Sequence, residues 1–131
     1  MDTVTIEQEV ELPGTPEEVY EAYVDDVKHA DFTCYPASID RREGGRMTAG
    51  GGYIEGEILE LVPGARIAQT WRASDFPPGH ESQLELDLEP DEEGTLLRMT
   101  HSRVPADMAD GISEGWRRHY WEPLKAYLGL H

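Results

Sequence analysis

Three polar residues stand out because strand alternation places them on inward faces, where polar groups are unusual. They are Gln8, Gln69 and His101. A buried amide or imidazole either hydrogen-bonds within the protein or contacts a bound molecule. A lone inward histidine is more often a hydrogen-bonded core residue than an acid–base catalyst. Trp71 shares the face of Gln69 and fits either plain core or an aromatic pocket wall.

Motifs for known catalytic chemistry do not occur in this sequence. It contains no Gly-x-Ser-x-Gly, no phosphate-binding loop and no His-Glu-x-x-His. The single cysteine, Cys34, has no histidine at an informative spacing, and the five histidines show no spacing typical of metal ligands. We therefore predict no catalytic residue, no metal site and no cofactor.

The stretch EGWRRHYWEPLKAYLGL, residues 114–130, has helical spacing with a proline at position 123. At 100° per residue its large apolar and aromatic side chains fall within an arc of about 140°. They are Trp116, Tyr120, Trp121, Leu124, Tyr127 and Leu128. Pro123 removes the hydrogen bond to the carbonyl of His119 and should bend the helix. The bend either follows the curvature of a sheet or opens the mouth of a cavity.

Arg117 falls inside this apolar arc, between Leu124 and Leu128 by angle. Burying an unpaired guanidinium group is costly. The side chain should therefore reach the rim of the core, or meet an acidic residue or a bound anion. Together with Trp116 and Tyr120 it forms the helical half of the candidate site.

The elements that must position these residues follow from hydrophobic periodicity. Residues 4–12 alternate as a half-buried strand, and Thr15 with Glu18 forms a capping box for a short helix with Pro16 at its first position. A second short helix is predicted over 26–32. Stretches bounded by Gly- and Pro-containing turns predict further strands: a hairpin region around the glycines at 44–45 and 50–52, then 53–62, 66–73, 83–89 and 95–101.

These elements predict one α+β domain covering residues 1–131. Short connections favour antiparallel pairing, which gives a curved sheet of about six strands. The long C-terminal helix is the element able to cover the concave face of that sheet. The aromatic residues of the helix should therefore pack against the inward residues of the strands.

The charge balance is strongly acidic, with 27 acidic and 11 basic residues and a formal net charge of −16. A surface of this kind repels phosphate backbones and anionic membranes, so we predict neither nucleic-acid nor membrane binding. The acidity reflects either solvation of the protein or an acidic face for a basic partner. The sequence shows no apolar run long enough to span a membrane and no signal peptide, which favours a cytoplasmic protein.

The sequence resembles the C-terminal-domain family of the activator of the heat-shock protein 90 ATPase. That family lies within the Bet v 1-like, START-related helix-grip superfamily. The matching segments run in order along nearly the whole chain: TPEEVYEAYVD, the glycine pair at 44–45, YIEGEILELVPGARIAQTWR, PPGHESQLELDLEP, GTLLRMTHSRVP and EGWRRHYWEPLKAYL. The segment around Trp71 and the final helical segment are the most specific.

The resemblance implies a helix-grip fold, often with a cavity for hydrophobic molecules, and no shared catalytic set. Our leading hypothesis is a domain that binds a small hydrophobic ligand between the sheet and the last helix. The candidate contact residues are Gln8, Gln69, Trp71, His101, Trp116, Arg117 and Tyr120. One alternative is a protein-interaction module, in the extreme case a chaperone cofactor. The other is an enzyme of the cyclase or dehydratase type that uses His101 or a nearby acidic residue. The sequence leaves the oligomeric state open.

Overall fold

The computed structural model describes residues 1–92 and 94–129. Seven antiparallel strands form one sheet in the order β1-β7-β6-β5-β4-β3-β2. The strands are β1 Thr3–Leu12, β2 Ser38–Ile39, β3 Arg46–Ala49, β4 Ile54–Val62, β5 Arg66–Ala73, β6 Ser82–Asp91 and β7 Gly94–Pro105. The helices are α1 Pro16–Val24, α2 Asp26–Thr33, α3 Ala109–Trp116 and α4 Glu122–Gly129. The predicted α+β architecture is confirmed, with one strand more than expected because β2 is only two residues long.

Strand alternation sorts the side chains of the sheet as the sequence predicted. In β6, Leu84, Leu86 and Leu88 are buried on the inner face. On the outer face, the Arg66 guanidinium group pairs with carboxylates on neighbouring strands, including Asp87 at 2.8 Å. Burial of the leucines stabilises the fold by roughly 1.5–3 kcal/mol each, so the inner face contributes far more than these half-exposed ion pairs.

The two short helices begin at side-chain caps. Thr15 Oγ1 accepts a hydrogen bond from the backbone amide of Glu18 at 3.1 Å, and the Glu18 carboxylate accepts one from the backbone amide of Thr15. The predicted capping box is therefore confirmed. In α2 the Asp25 carboxylate accepts from the amides of Val27 and Lys28. Both helices bury aromatic residues in the core, among them Tyr23 and Phe32.

The C-terminal helix is continuous but not uniform. Between α3 and α4 a π turn spans Arg117–Trp121, in which the Glu122 amide bonds to the Arg117 carbonyl five residues earlier. Pro123 follows directly and has no amide hydrogen to give to His119. A π turn lets the chain pass the proline ring without ending the helix. The extra residue also changes which side chains face the sheet.

Two glycines should respond in opposite ways to alanine substitution. A Cβ on Gly56 in β4 would lie 2.0 Å from the Thr70 carbonyl oxygen, whereas a Cβ on Gly111 in α3 would meet no heavy atom within 4 Å. We expect Gly56→Ala to destabilise the fold by about 1–3 kcal/mol through overpacking. We expect Gly111→Ala to stabilise it by about 0.5–1 kcal/mol through helix propensity. Urea unfolding of both variants checks the pair, and a neutral Gly56→Ala would contradict the close approach of β4 and β5.

Candidate functional site

A half-enclosed pocket of about 630 Å³ lies between one end of the sheet and helix α3. Its inner wall is aromatic and aliphatic, formed by Ile54, Trp71, Ile112, Trp116 and Tyr120. The Trp116 and Tyr120 rings lie 4.7 Å apart, centroid to centroid. A volume of this size is typical of pockets that hold small organic molecules.

Polar groups are concentrated at the mouth of the pocket. Tyr53, Asp75, Asp107 and His119 line it, and all four are exposed. The Tyr53 hydroxyl donates to Asp75 Oδ1 at 2.8 Å. Partial burial, together with this hydrogen bond, raises the pKa of Tyr53 to about 12. The hydroxyl therefore stays protonated at neutral pH and holds the Asp75 carboxylate at the mouth.

Three glycines of the pocket lining leave room beside the aromatic wall. Gly50 begins the short turn Gly50–Gly52 before β4, and Gly111 and Gly115 lie on α3. Helical phase alone would place Gly111 and Gly115 away from the apolar arc. In the structure they border the pocket, because α3 contacts it along one whole side.

His101 lies behind the wall and is linked by hydrogen bonds to the Trp116 indole and, through Ser82, to the backbone of Trp71. The Trp116 indole nitrogen Nε1 donates to His101 Nδ1 at 3.0 Å, so that nitrogen carries no proton. His101 Nε2 therefore donates to Ser82 Oγ at 2.8 Å, and the Ser82 hydroxyl donates to the Trp71 carbonyl at 2.7 Å. Burial lowers the pKa of His101 to about 4. Both ring nitrogens are occupied and the residue is fully buried, so it supports the wall and does not face the pocket.

Tyr120 is held by a second buried histidine. Its hydroxyl donates to His29 Nε2 at 2.8 Å, and His29 Nδ1 donates to the Tyr23 carbonyl at 2.8 Å. Burial lowers the pKa of His29, partly offset by the bond to Tyr23, and burial raises the pKa of Tyr120. The Tyr23 hydroxyl in turn donates to Gln69 Oε1 at 2.8 Å. Gln69 is therefore satisfied within the core and lies outside the pocket lining.

Gln8 joins the first strand to the last helix. Its side-chain amide donates to the Ser113 carbonyl at 3.0 Å and to Ser113 Oγ at 2.9 Å, and its oxygen accepts from Trp121 Nε1 at 2.7 Å. Trp121 stacks on Trp116 with ring centroids 5.3 Å apart. Gln8 thus fixes the position of the helix and has no free group to offer a ligand.

Arg117 lies on the exposed side of the helix, so its assignment to the apolar arc is wrong. Its guanidinium group pairs with Glu114 and, at 3.1 Å, with Glu122. The assumption of 100° per residue fails across the π turn, because the added residue rotates Leu124 and Leu128 away from the side on which Arg117 lies. Of the alternatives that the sequence left open for Arg117, the structure shows pairing with acidic residues.

Of the seven candidate site residues, Trp71, Trp116 and Tyr120 line the pocket. Gln8, Gln69 and His101 are hydrogen-bonded behind it, and their role as ligand contacts has no support from their placement. Sequence periodicity missed the mouth residues Asp75 and Asp107 because they lie in the loop after β5 and the turn after β7. The signal that could have found them is the position of both loops at the same end of an antiparallel sheet.

Across residues 1–92 and 94–129, no group of three or more His, Cys, Asp or Glu side chains is arranged to hold a metal ion. Within the same residues, no helix has the length and apolar character needed to cross a membrane.

The sheet order, the two short helices after β1 and the last helix lying against the sheet beside a pocket define a helix-grip domain of the Bet v 1-like type. Residues 13–129 match the family model for Activator of Hsp90 ATPase homolog 1-like protein. The chain belongs to this family, as its sequence resemblance implied.

Relatives and solved structures agree with that assignment. The mouse protein named activator of 90 kDa heat shock protein ATPase homolog 1 is 31% identical over 115 residues, which cover 88% of this chain and 34% of the mouse protein. A Dictyostelium discoideum homologue is 30% identical over 124 residues, covering 94% of this chain and 32% of that protein. The chain thus spans about a third of the length of the curated relatives it matches.

The crystal structure of PFC0360w, described as an HSP90 activator from Plasmodium falciparum, has the same fold. Its TM-score is 0.84 at 23% sequence identity, and the match covers 97% of this chain and 96% of that one. The predicted helix-grip fold is therefore confirmed.

Proposed function

We propose that this domain binds a small hydrophobic molecule in the pocket between the sheet and α3. The observation that supports the proposal is the pocket itself, about 630 Å³ with Trp71, Trp116 and Tyr120 in its wall. Removing apolar surface from water would contribute about 25 cal/mol per Å². Aromatic ligands would gain further from contact with the rings.

The supporting hydrogen bonds favour binding because they hold the wall rigid. Trp116 is fixed through His101, and Tyr120 through His29. A rigid wall does not collapse into the empty volume, and it loses little conformational freedom when a ligand enters. The pocket is in this sense preorganised.

Native mass spectrometry of protein purified from its own host, followed by identification of extracted molecules, tests the proposal. The informative variant is Gly111→Trp, which adds a large side chain where the pocket lining is open. The matched control is Lys125→Trp, which adds the same side chain at an exposed position of α4. We expect a bound apolar molecule in the parent protein and in Lys125→Trp, and its loss in Gly111→Trp.

Retention of the molecule by Gly111→Trp would place binding elsewhere and contradict the proposal. A mass free of ligand in all three proteins, combined with no binding of added apolar molecules, would do the same. Circular dichroism of the variants separates loss of the pocket from loss of the fold.

A second candidate function is binding of a protein partner, specifically a 90 kDa heat-shock ATPase. It is favoured by the mouse and Dictyostelium relatives, which are named as activators of that ATPase and match this chain over most of its length. The net charge of −16 offers an electrostatic basis for recognising a basic surface.

An ATPase assay tests this candidate. The domain is added to a 90 kDa heat-shock ATPase, and the rate is measured as salt is raised from 50 to 500 mM. If the acidic surface carries recognition, stimulation should fall as salt increases, because the Debye length shrinks from above 10 Å to below 8 Å. No stimulation and no complex at low salt would exclude this role.

A further inference from the structure

We propose that the molecule held in the pocket is an amphipathic cation, with its hydrophobic body against the aromatic wall and its ammonium group at the mouth. The inference deepens the proposed function and rests on it. Three features of the pocket support this choice of ligand. The charged residues at the mouth are acidic, their carboxylates form no ion pair with the described residues, and a tyrosine ring lies beside them.

The formally charged residues that line the pocket are both acidic. Two carboxylates, Asp75 and Asp107, line the mouth, and among residues 1–92 and 94–129 no lysine or arginine contributes to the lining. The one titratable basic residue of the lining is His119. An anion such as a fatty acid would meet repulsion on entering, whereas a cation would meet two carboxylates. The formal net charge of −16 adds a long-range field of the same sign.

The two carboxylates are not neutralised by the protein. Elsewhere several arginines form ion pairs, such as Arg66 with Asp87 and Arg41 with Glu21. No ion pair found among residues 1–92 and 94–129 involves Asp75 or Asp107. Asp75 instead accepts a single hydrogen bond from the neutral Tyr53 hydroxyl. Among residues 1–92 and 94–129 no further hydrogen bond to Asp75 is found.

The arginine nearest to Asp75 in sequence is committed to a different task. The Arg72 guanidinium group donates to the carbonyls of Phe76, Pro77 and His80 at 2.8–3.2 Å and so holds the loop after β5 in shape. This arrangement presents Asp75 at the mouth without pairing it. A cationic ligand would supply the missing charge.

A ring at the mouth adds a second attraction for a cation. Tyr53 lines the pocket beside Asp75, to which its hydroxyl is hydrogen-bonded, whereas Trp71, Trp116 and Tyr120 form the inner wall. The face of an aromatic ring attracts an ammonium group, and tryptophan does so most strongly. Carboxylates and the Tyr53 ring at the mouth, with an apolar aromatic wall within, therefore favour the same ligand chemistry: a hydrophobic body carrying an amine.

A series of probes with one ring system tests the inference. The probes are 2-naphthylmethylamine as the cation, 2-naphthalenemethanol as the neutral compound and 2-naphthoate as the anion. Binding is followed by the indole resonances of the ¹⁵N-labelled protein at pH 7. We expect the cation to bind about tenfold more tightly than the neutral probe, from one or two charge-assisted contacts, and the anion to bind more weakly than either.

The double variant Asp75→Asn/Asp107→Asn should remove the preference for the cation and leave the neutral probe unchanged. The matched control is Glu7→Gln/Glu11→Gln, which removes the same charge from exposed positions of β1. It should keep the preference if the effect belongs to the pocket and not to the net charge.

The outcomes separate the two proposals. Equal binding of all three probes, lost in Gly111→Trp, would overturn the preference for cations and retain the hydrophobic pocket. A preference for the cation that survives the Asn variant, or that disappears in the β1 control, would also overturn it. Failure of every probe to perturb Trp71 or Trp116 would count against both.

Discussion

Replacing Trp116 by alanine should lower the free energy of unfolding by about 3–5 kcal/mol, the usual cost of removing a large aromatic residue from a core. Trp116 is only 3% exposed. It stacks on Trp121, contacts Tyr120 and donates a hydrogen bond to His101. Alanine would lose the ring contacts and leave the His101 nitrogen without a donor. Urea unfolding monitored by far-ultraviolet circular dichroism measures the change.

Two further variants separate the causes of that loss. Trp116→Phe keeps an aromatic ring but removes the indole N–H, so it should cost at least the penalty of one unpaired buried acceptor, about 1–3 kcal/mol. Arg118→Ala, at an exposed neighbouring position, should change stability by no more than about 0.5 kcal/mol. A loss below about 1.5 kcal/mol for Trp116→Ala would mean that the ring borders open space on most sides. The pocket would then be larger than the structure shows.

Acidification should destabilise the protein through His101. Burial lowers the pKa of this residue from 6.5 to about 4 in the folded state. Between these values the unfolded chain binds a proton that the folded chain does not, so stability falls as the pH falls. Above pH 6.5 the neutral His101 costs the fold nothing. The free energy of unfolding then falls progressively as the pH is lowered towards 4. With 1.36 kcal/mol per pKa unit the total is about 3 kcal/mol, and the lowered pKa of His29 acts in the same direction.

The measurement is the free energy of unfolding at pH 7 and pH 4.5 for the parent protein and His101→Gln. The variant is less stable at pH 7 but lacks the titration, so the gap between the two proteins should narrow by about 2–3 kcal/mol at pH 4.5. This difference cancels the contribution of the many surface carboxylates. Parallel curves for His101→Gln would show that His101 does not resist protonation.

The same buried groups link the stability of the fold to the pocket. His101 and His29 each hold an aromatic side chain of the pocket wall by a hydrogen bond that needs the neutral imidazole. Protonation of His101 would turn the acceptor for the Trp116 indole into a donor. Acid should therefore loosen the wall and the fold over the same pH range. Ligand affinity measured with the neutral probe should fall over that range as well.

The architecture could be read from the sequence because local patterns determine it. Alternation in QLELDLE predicts a half-buried strand, and Thr15, Pro16 and Glu18 specify a helix start through backbone hydrogen bonds within one turn. Such signals depend on neighbours along the chain. They survive into the folded structure because packing reinforces them. The buried positions of Gln69, Trp71 and His101 followed in the same way from strand alternation.

Tertiary structure alone decided which of those buried residues face a cavity. Alternation tells which side of a sheet a residue faces, but not how far along the strand the covering helix lies. Trp71 thus lines the pocket, whereas Gln69, two residues earlier on the same face, accepts a hydrogen bond from Tyr23 within the core. Arg117 shows a second reason, since the π turn next to Pro123 shifts helical phase in a way that no constant angle predicts. The loops that carry Asp75 and Asp107 leave the sheet at the same end, which antiparallel pairing implies, but that the pocket lies at this end was decided by the position of α3.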